Sequence, residues 1–352
     1  MVRPRSKGFT SHEAARALKD RLDRLLSQLP VATMLRPHLH SLRRLMSRLL
    51  PDGAFARYSH ARRTGRSLDL ENPRTFADKV WWQKLNVRNP LMTQCADKYQ
   101  VREYVAQCGL NWLLVPVHGV FNDANDINLQ ALPAKELFFK TTHGSGGNRI
   151  VDNSRPYRDI NRFRKSFNSL LRQNYFWESR EWPYKDIRPR IVCESVLRNE
   201  DGSLPADWKI YCFGGTPRLI YYTEGSSDES GKHTSSANRF ANMYDVSLRM
   251  LPVSRIAWNV DSTRTSLPAE ELAEVLRYAA TLSKPFAFCR VDFYIVGGRT
   301  YFGEITFSPG GGNIVFEPES WNETIGSWIE LPDTEASVDG SKSSDRPKGS
   351  SR

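Results

Sequence analysis

The chain has 352 residues and a formal net charge of +11, from 50 Lys and Arg against 39 Asp and Glu. That length supports a sizeable core in two or three lobes. Five scattered cysteines with no C-x-x-C spacing argue against a disulfide frame or a zinc site, and no apolar run approaches the ~18 residues of a membrane span.

Most of the charge lies at one end: residues 1–70 hold fifteen Lys and Arg against five acids. Met1-Val-Arg-Pro-Arg-Ser-Lys7 leads into a charged stretch, so no secretory signal and a cytoplasmic location are expected. Thr10-Ser-His-Glu13 is a capping-box start, and Leu18, Leu22, Leu25 and Leu29 recur at helical spacing. Pro30 and Pro37 interrupt; Leu39, Leu42, Met46 and Leu49 then form a second amphipathic stretch bearing Arg43, Arg44 and Arg48. Either these helices pack on the rest of the protein with a solvated basic face, or they dock peripherally on anionic lipid at the inner membrane face. Nucleic acid is not an expected partner, because nothing downstream reads as an RNA or DNA module.

Residues 71–95 hold an aromatic helix whose Trp81 and Trp82 suit a core. Ala96 to Val105 reads as the start of a helix with Asp97 in its first turn. Leu137-Phe-Phe-Lys140 and Arg149-Ile-Val151 read as strands flanking Thr141-Thr-His-Gly-Ser-Gly-Gly-Asn148. A Gly/Ser-rich turn lets backbone N–H groups approach a phosphate, and Lys140 would add a point charge. The spacing is neither the P-loop nor the dinucleotide fingerprint. His143 in this turn is either a base or a residue that only bonds backbone. Residues 152–189 are helical and rich in Arg and aromatics, and either line an acceptor site or simply pack.

Arg190 to Leu197 is a β-branched strand, and Asp207 to Gly215 another, with Asp207 and Lys209 on one face. Residues 223–242 read as a mobile Ser/Gly-rich loop with Arg239 as a candidate anion binder. Pro268 to Leu282 is a helix with an acidic first turn. In Arg290-Val-Asp-Phe-Tyr294, alternation puts Arg290, Asp292 and Tyr294 on one face; Gly297-Gly298 is a turn, and Phe302-Gly-Glu-Ile-Thr-Phe-Ser-Pro-Gly-Gly-Gly312 follows with Glu304 and Thr306 on one face. The hairpin can set Asp292 opposite Glu304, an arrangement suited to Mg²⁺ with substrate phosphates, or to a surface salt bridge. From Asp333 onward the composition reads as disordered.

This order of pieces resembles the ATP-grasp superfamily, the carboxylate–amine ligases related to D-alanine–D-alanine ligase. Within it the chain is most similar to the TupA-type group, named for teichuronopeptide biosynthesis. The residues that carry the resemblance are Asn72 to Lys79, Ala96-Asp-Lys-Tyr99, Lys140 to Gly147, Tyr175 to Pro189 and Asp207-Trp-Lys209. It implies an α+β fold in which two α+β lobes sandwich ATP, preceded by a basic helical extension. The expected partition is 1–70 for the extension, 71–135 for a partial N-terminal lobe, 136–196 for the first ATP-grasp lobe, 197–332 for the second, and 333–352 for the tail.

The resemblance also implies roles. Lys98 and Lys140 would hold ATP phosphates, with His143, Gly144, Ser145, Gly146 and Gly147 as the loop closing over them. Glu194 would sit beside the adenine amino group, with the backbone of Ser195, Val196 and Leu197 reading the adenine edge. Asp207 falls near the ribose-binding acid, and Lys209 and Arg290 face the transferring phosphoryl group. Asp292 and Glu304 match magnesium ligands. Thr306 stands where the superfamily usually has Asn, which leaves the second metal site open. The implied activity is ATP- and Mg²⁺-dependent ligation through an acyl-phosphate, acting on a carboxylate-bearing saccharide or lipid-linked polysaccharide precursor of the cell envelope. Members of the group are often labelled glycosyltransferases, and that chemistry stays as an alternative, as does kinase-like phosphoryl transfer to a hydroxyl.

Overall fold

The computed structural model describes residues 48–154, 156–232, 240–255, 260 and 267–332. The amphipathic helices expected within residues 1–47, the candidate Arg239 and the tail from Asp333 lie outside the described residues. The chain divides into two units, Met1–Pro51 and Asp52–Arg352, and the second holds both sheets and the cavity between them.

Its helices are α1 (Asp52–Thr64), α2 (Phe76–Asn86), α3 (Pro90–Ala96), α4 (Val101–Gln107), α5 (Ile160–Leu171), α6 (Phe176–Ser179), α7 (Ala269–Ser283) and α8 (Ser320–Ser327). Local signals set several of these starts. Thr75 caps α2 in a reciprocal capping box with Asp78, and Asn89 caps α3 with Pro90 in the first turn. Trp81 is fully buried against Phe55 of α1, as its place in an aromatic helix predicts.

One sheet has four antiparallel strands in the order β1 (Val117–Phe121), β4 (Ile191–Ser195), β2 (Glu136–Thr141) and β3 (Arg149–Asp152). Period-two alternation divides its faces. Leu137, Phe139, Val151, Ile191 and Cys193 pack under Phe163 and Phe167 of α5, whereas Phe138, Lys140, Ile150 and Glu194 line a cavity on the other side.

The second sheet has five strands, in the order β10 (Arg299–Thr306), β9 (Phe288–Val296), β5 (Asp207–Phe213), β6 (Thr216–Glu224) and β7 (Phe240–Tyr244), all antiparallel. Ile210, Cys212, Val291 and Phe293 face Leu272, Val275, Ala279 and Leu282 of α7 in one core. The opposite face is mixed. Phe213, Leu219 and Phe288 pack on Phe76 and Val80 of α2 and Ile325 of α8, while Asp207, Lys209, Asp292 and Glu304 open onto the same cavity. A short pair, β8 (Ser254–Arg255) with β11 (Phe316–Glu317), closes the edge.

Two expectations need correction. The helix expected from Ala96 begins at Val101, and Asp97 is the C-cap of α3. The fully buried Asp97 carboxylate accepts from the backbone amides of Tyr99 and Gln100 and from Arg190 Nη2 at 2.9 Å. These bonds hold a turn, not a first helical turn. Residues 223–242 are not all loop either: Thr223 and Glu224 end β6, and Phe240 opens β7. The connection leaving β6 reaches the first sheet, where Ile150 N donates to Ser230 O at 2.9 Å.

The cysteines are all free thiols. Burial pushes Cys193 and Cys212 up to about 12, so both stay protonated. No described helix is long and apolar enough to cross a membrane.

Candidate active site

The cavity between the two sheets measures about 1040 Å³. Its geometry turns on one irregularity. A regular hairpin across Gly297-Gly298 would continue the pairing of Phe302 with Phe293 by setting Gly303 against Asp292. Instead a β-bulge shifts the register, so that Glu304 lies opposite Asp292 and Thr306 opposite Arg290. Both carboxylates therefore share the cavity face. Gly303 makes the bulge possible, since a Cβ there would lie 3.0 Å from Asp292 O and 3.2 Å from the Tyr294 ring.

Cations hold these carboxylates in place. Arg290 donates from Nε to Asp292 Oδ1 at 2.7 Å and from Nη2 to Asp292 Oδ2 at 2.6 Å, a bidentate pair buried in the sheet. Its Nη2 also lies 3.4 Å from Glu304 Oε1 and donates to Thr306 Oγ1 at 3.2 Å. Lys98 Nζ donates to Glu304 Oε2 at 3.0 Å, and the Thr306 hydroxyl donates to Glu304 Oε1 at 3.0 Å. Burial pushes Glu304 up, but Lys98 and Arg290 overcome it and hold the carboxyl well below its usual range. For Asp292 burial wins, and its carboxyl rises to about 6 despite Arg290 and Lys209.

Lys98 reaches the cavity because the Asp97 turn aims it. Its backbone N–H donates to Thr142 O at 3.1 Å, tying the turn to the end of β2. Lys209 sits across the ladder from Asp292 and bonds Asp207 Oδ1 at 2.9 Å and Thr223 Oγ1 at 3.1 Å. On the opposite wall Lys140 Nζ lies 2.6 Å from Glu194 Oε2, with Arg102 at 3.8 Å from the same carboxylate.

The structure brings most of the sequence-predicted residues to one cavity and leaves a few out. Ser145 and Gly146 of the glycine turn line it; Gly144, Gly147 and His143 do not. His143 is buried, with Nε2 3.2 Å from Leu170 O, and burial lowers its pKa. That is a structural position rather than that of a base. Ser195, Val196 and Leu197 line the cavity as the start of the link between the sheets. The Ser195 amide, however, already donates to Pro116 O at 3.0 Å, which leaves Val196 and Leu197 to present free backbone edges.

Sequence reasoning offers the Arg- and aromatic-rich insert as an acceptor wall or as simple packing, and gives no role to Glu181 or Lys84. Tyr175, Glu181 and Tyr184 come from the Arg- and aromatic-rich insert, so that segment does line the cavity. Lys84 of α2 is buried, with Nζ 3.3 Å above the Trp81 ring and donating to Gly311 O at 2.7 Å. Burial pushes Lys84 down and Glu181 up, each pulled back by the other's charge. No spacing signal could have joined these two, since nearly a hundred positions separate them.

Mg²⁺ can be tested against this donor set. Among the described residues no group of three or more His, Cys, Asp or Glu could hold a metal. Two carboxylates and a hydroxyl share one cavity face at Asp292, Glu304 and Thr306. Hard oxygen donors of this number, which leave room for substrate phosphates and water, fit Mg²⁺.

Two antiparallel sheets that enclose a cavity between a glycine-rich hairpin and a carboxylate-bearing hairpin define an α+β protein with the ATP-grasp fold. Residues 78–330 match the family described as TupA-like ATPgrasp, and the chain belongs to that family. No curated protein matches it. Among solved structures it is similar to D-alanine–D-alanine ligase from Bacillus anthracis, at 17% identity and a TM-score of 0.35, covering 60% of this chain and 57% of that one. It is similar to an L-amino acid ligase from Bacillus licheniformis at 15% identity and a TM-score of 0.41, covering 67% and 49%. The VanG D-Ala:D-Ser ligase from Enterococcus faecalis matches at 16% identity and a TM-score of 0.37, covering 62% and 54%. The chain thus spans less than two thirds of the length of each. Likenesses at these scores add nothing to the fold assignment, which rests on the family match and on the two sheets.

Proposed function

We propose that this protein is an ATP-dependent carboxylate–amine ligase. The observation that carries the reading is the bulged hairpin, which sets Asp292 and Glu304 face to face among Lys98, Lys209 and Arg290 on one wall of a cavity. The other wall offers Lys140, the Ser145-Gly146 turn and the Val196-Leu197 link. Adenine fits against that link, with Glu194 near its amino group, and Asp207 is the ribose acid. Lys98, Lys140, Lys209 and Arg290 bind the phosphates and stabilise charge on the transferring group. Asp292, Glu304 and Thr306 are the proposed Mg²⁺ residues; when bound, the ion neutralises developing phosphate charge.

An acceptor carboxylate oxygen attacks the γ-phosphorus, and the bond to the β–γ bridging oxygen breaks, giving an acyl-phosphate and ADP. An amine then attacks the acyl carbon, phosphate leaves, and the nitrogen loses a proton to give an amide. The acceptor class is a carboxylate-bearing saccharide or lipid-linked polysaccharide precursor of the cell envelope, a reading supported by the family and by the cavity's size. The work is placed in the cytoplasm, with the N-terminal basic segment available for contact with the inner membrane face.

Calorimetry with Mg·ATP and with UDP-sugars tests the reading. Mg·ATP is expected to bind more tightly than any UDP-sugar. Tight UDP-sugar binding without ATP binding would instead mark a glycosyltransferase.

A further inference from the structure

Beyond Thr306 the chain enters Ser308-Pro-Gly-Gly-Gly312, whose apex, Gly310-Gly311, has positive φ angles of 61° and 66° and lines the cavity. Two arginines flank this apex. A Cβ at Gly311 would lie 3.8 Å from Arg63 Nη1, and one at Gly310 would lie 3.4 Å from Arg255 Nη2. Arg63 comes from the last turn of α1 and Arg255 from β8, more than 190 positions apart in sequence. Both line the cavity. Among the described residues neither has an ion pair with a carboxylate, whereas the arginines and lysines around Asp292, Glu304 and Glu194 are all matched to acids. Arg255 is held over the Tyr221 ring at 5.3 Å, which fixes its guanidinium without neutralising it. Lys84, which donates to Gly311 O, is already offset by Glu181 and is not counted with them.

A cavity end with two guanidiniums that, among the described residues, form no ion pair with an acid suits an anionic ligand group, because Arg recognises carboxylate and phosphate through paired N–H donors. Gly310 lies four positions beyond Thr306, a span of at most ~14 Å. A ligand group at the apex is therefore within one or two sugar units of the proposed reacting centre.

We propose that Arg63 and Arg255 form a subsite for a second acid group on the acceptor, a carboxylate or a phosphate distinct from the carboxylate that reacts. The acceptor is then an acidic oligosaccharide or a sugar phosphate rather than a free amino acid. This rests on the ligase reading for which group reacts, but the subsite can be tested without turnover.

The test is calorimetry on the full chain with a non-hydrolysable Mg·ATP analogue present, at physiological salt. The probes are trigalacturonate, glucose 1-phosphate and neutral maltotriose. Trigalacturonate or glucose 1-phosphate is expected to bind at least tenfold more tightly than maltotriose, and whichever does so identifies the carboxylate or the phosphate as the source. Arg63→Gln and Arg255→Gln should each weaken that probe about tenfold, the scale of one charge-assisted hydrogen bond, with nucleotide affinity unchanged within twofold. Arg63 is on an exposed helix surface, so its variant carries the test if Arg255→Gln disturbs β8. Charged probes that bind no better than maltotriose, or both variants binding like wild type, would overturn the subsite. Arginine-dependent probe binding without any nucleotide binding would leave the subsite standing and remove the ligase reading.

Discussion

Glu304 is the residue on which the proposed chemistry depends most. It accepts from Lys98 and Thr306 and lies beside Arg290, and these neighbours keep it ionised against the cost of burial. Glu304→Gln keeps the shape but removes the charge. ATP turnover, read as ADP and phosphate, is expected to fall by on the order of 10²–10³, the scale of losing one preorganised electrostatic partner. The melting curve should stay cooperative, and full activity would remove the hairpin from consideration as the metal site. Thr306 is a subtler case. Its hydroxyl accepts from Arg290 and donates to Glu304, so it orders both as well as offering an oxygen. Thr306→Val keeps the branched shape and loses those bonds; Mg²⁺ affinity should weaken several-fold, for about 1 kcal/mol per hydrogen bond. Unchanged Mg²⁺ affinity would reduce Thr306 to a strand residue.

At the level of elements, the β9–β10 bulge decides which side chains meet. Without it Glu304 would pair with Val291 and point into the α7 core. Gly303→Ala places a methyl against Asp292 O and the Tyr294 ring, contacts of 3.0 and 3.2 Å that require the strands to move. The expected cost is about 1–3 kcal/mol of stability, together with a loss of turnover larger than the thermal shift alone would produce. Thermal melts alongside turnover measure both. An alanine variant with wild-type turnover would show that the register does not set the chemistry. The same logic explains the Asp97 turn, which a helix starting at Ala96 would have removed, leaving Lys98 without its bond to the end of β2.

For the whole molecule, ATP bound in the proposed site is expected to tie the two sheets together. At ATP concentrations about 100-fold above Kd, the bound form gains ~2.7 kcal/mol. For a chain of this size that corresponds to a rise in Tm of roughly 5 °C. Thermal scans with Mg·ATP, against Mg²⁺ alone and Mg·UTP, check it. A shift given equally by UTP would contradict an adenine-reading link at Val196-Leu197.

Strand faces and chemistry at the level of short motifs were legible in the chain itself. Period-two alternation in Leu137 to Lys140 and in Arg290 to Tyr294 fixes which side chains share a face, because a strand has no freedom to turn them otherwise. The acidic hairpin and the glycine turn followed from that, and the fold class from the resemblance that the order of these motifs carries. The tertiary structure alone decided how faces from distant strands meet. It buried His143 under α5 and committed the Ser195 amide to Pro116. It also brought Glu181, Arg63 and Arg255 to one cavity, and Lys84 to the Gly311 carbonyl beside it, from elements far apart in the chain. These outcomes depend on packing between elements, on a one-residue bulge and on which buried charges find partners. Such interactions join residues with no fixed spacing, so no period in the sequence records them.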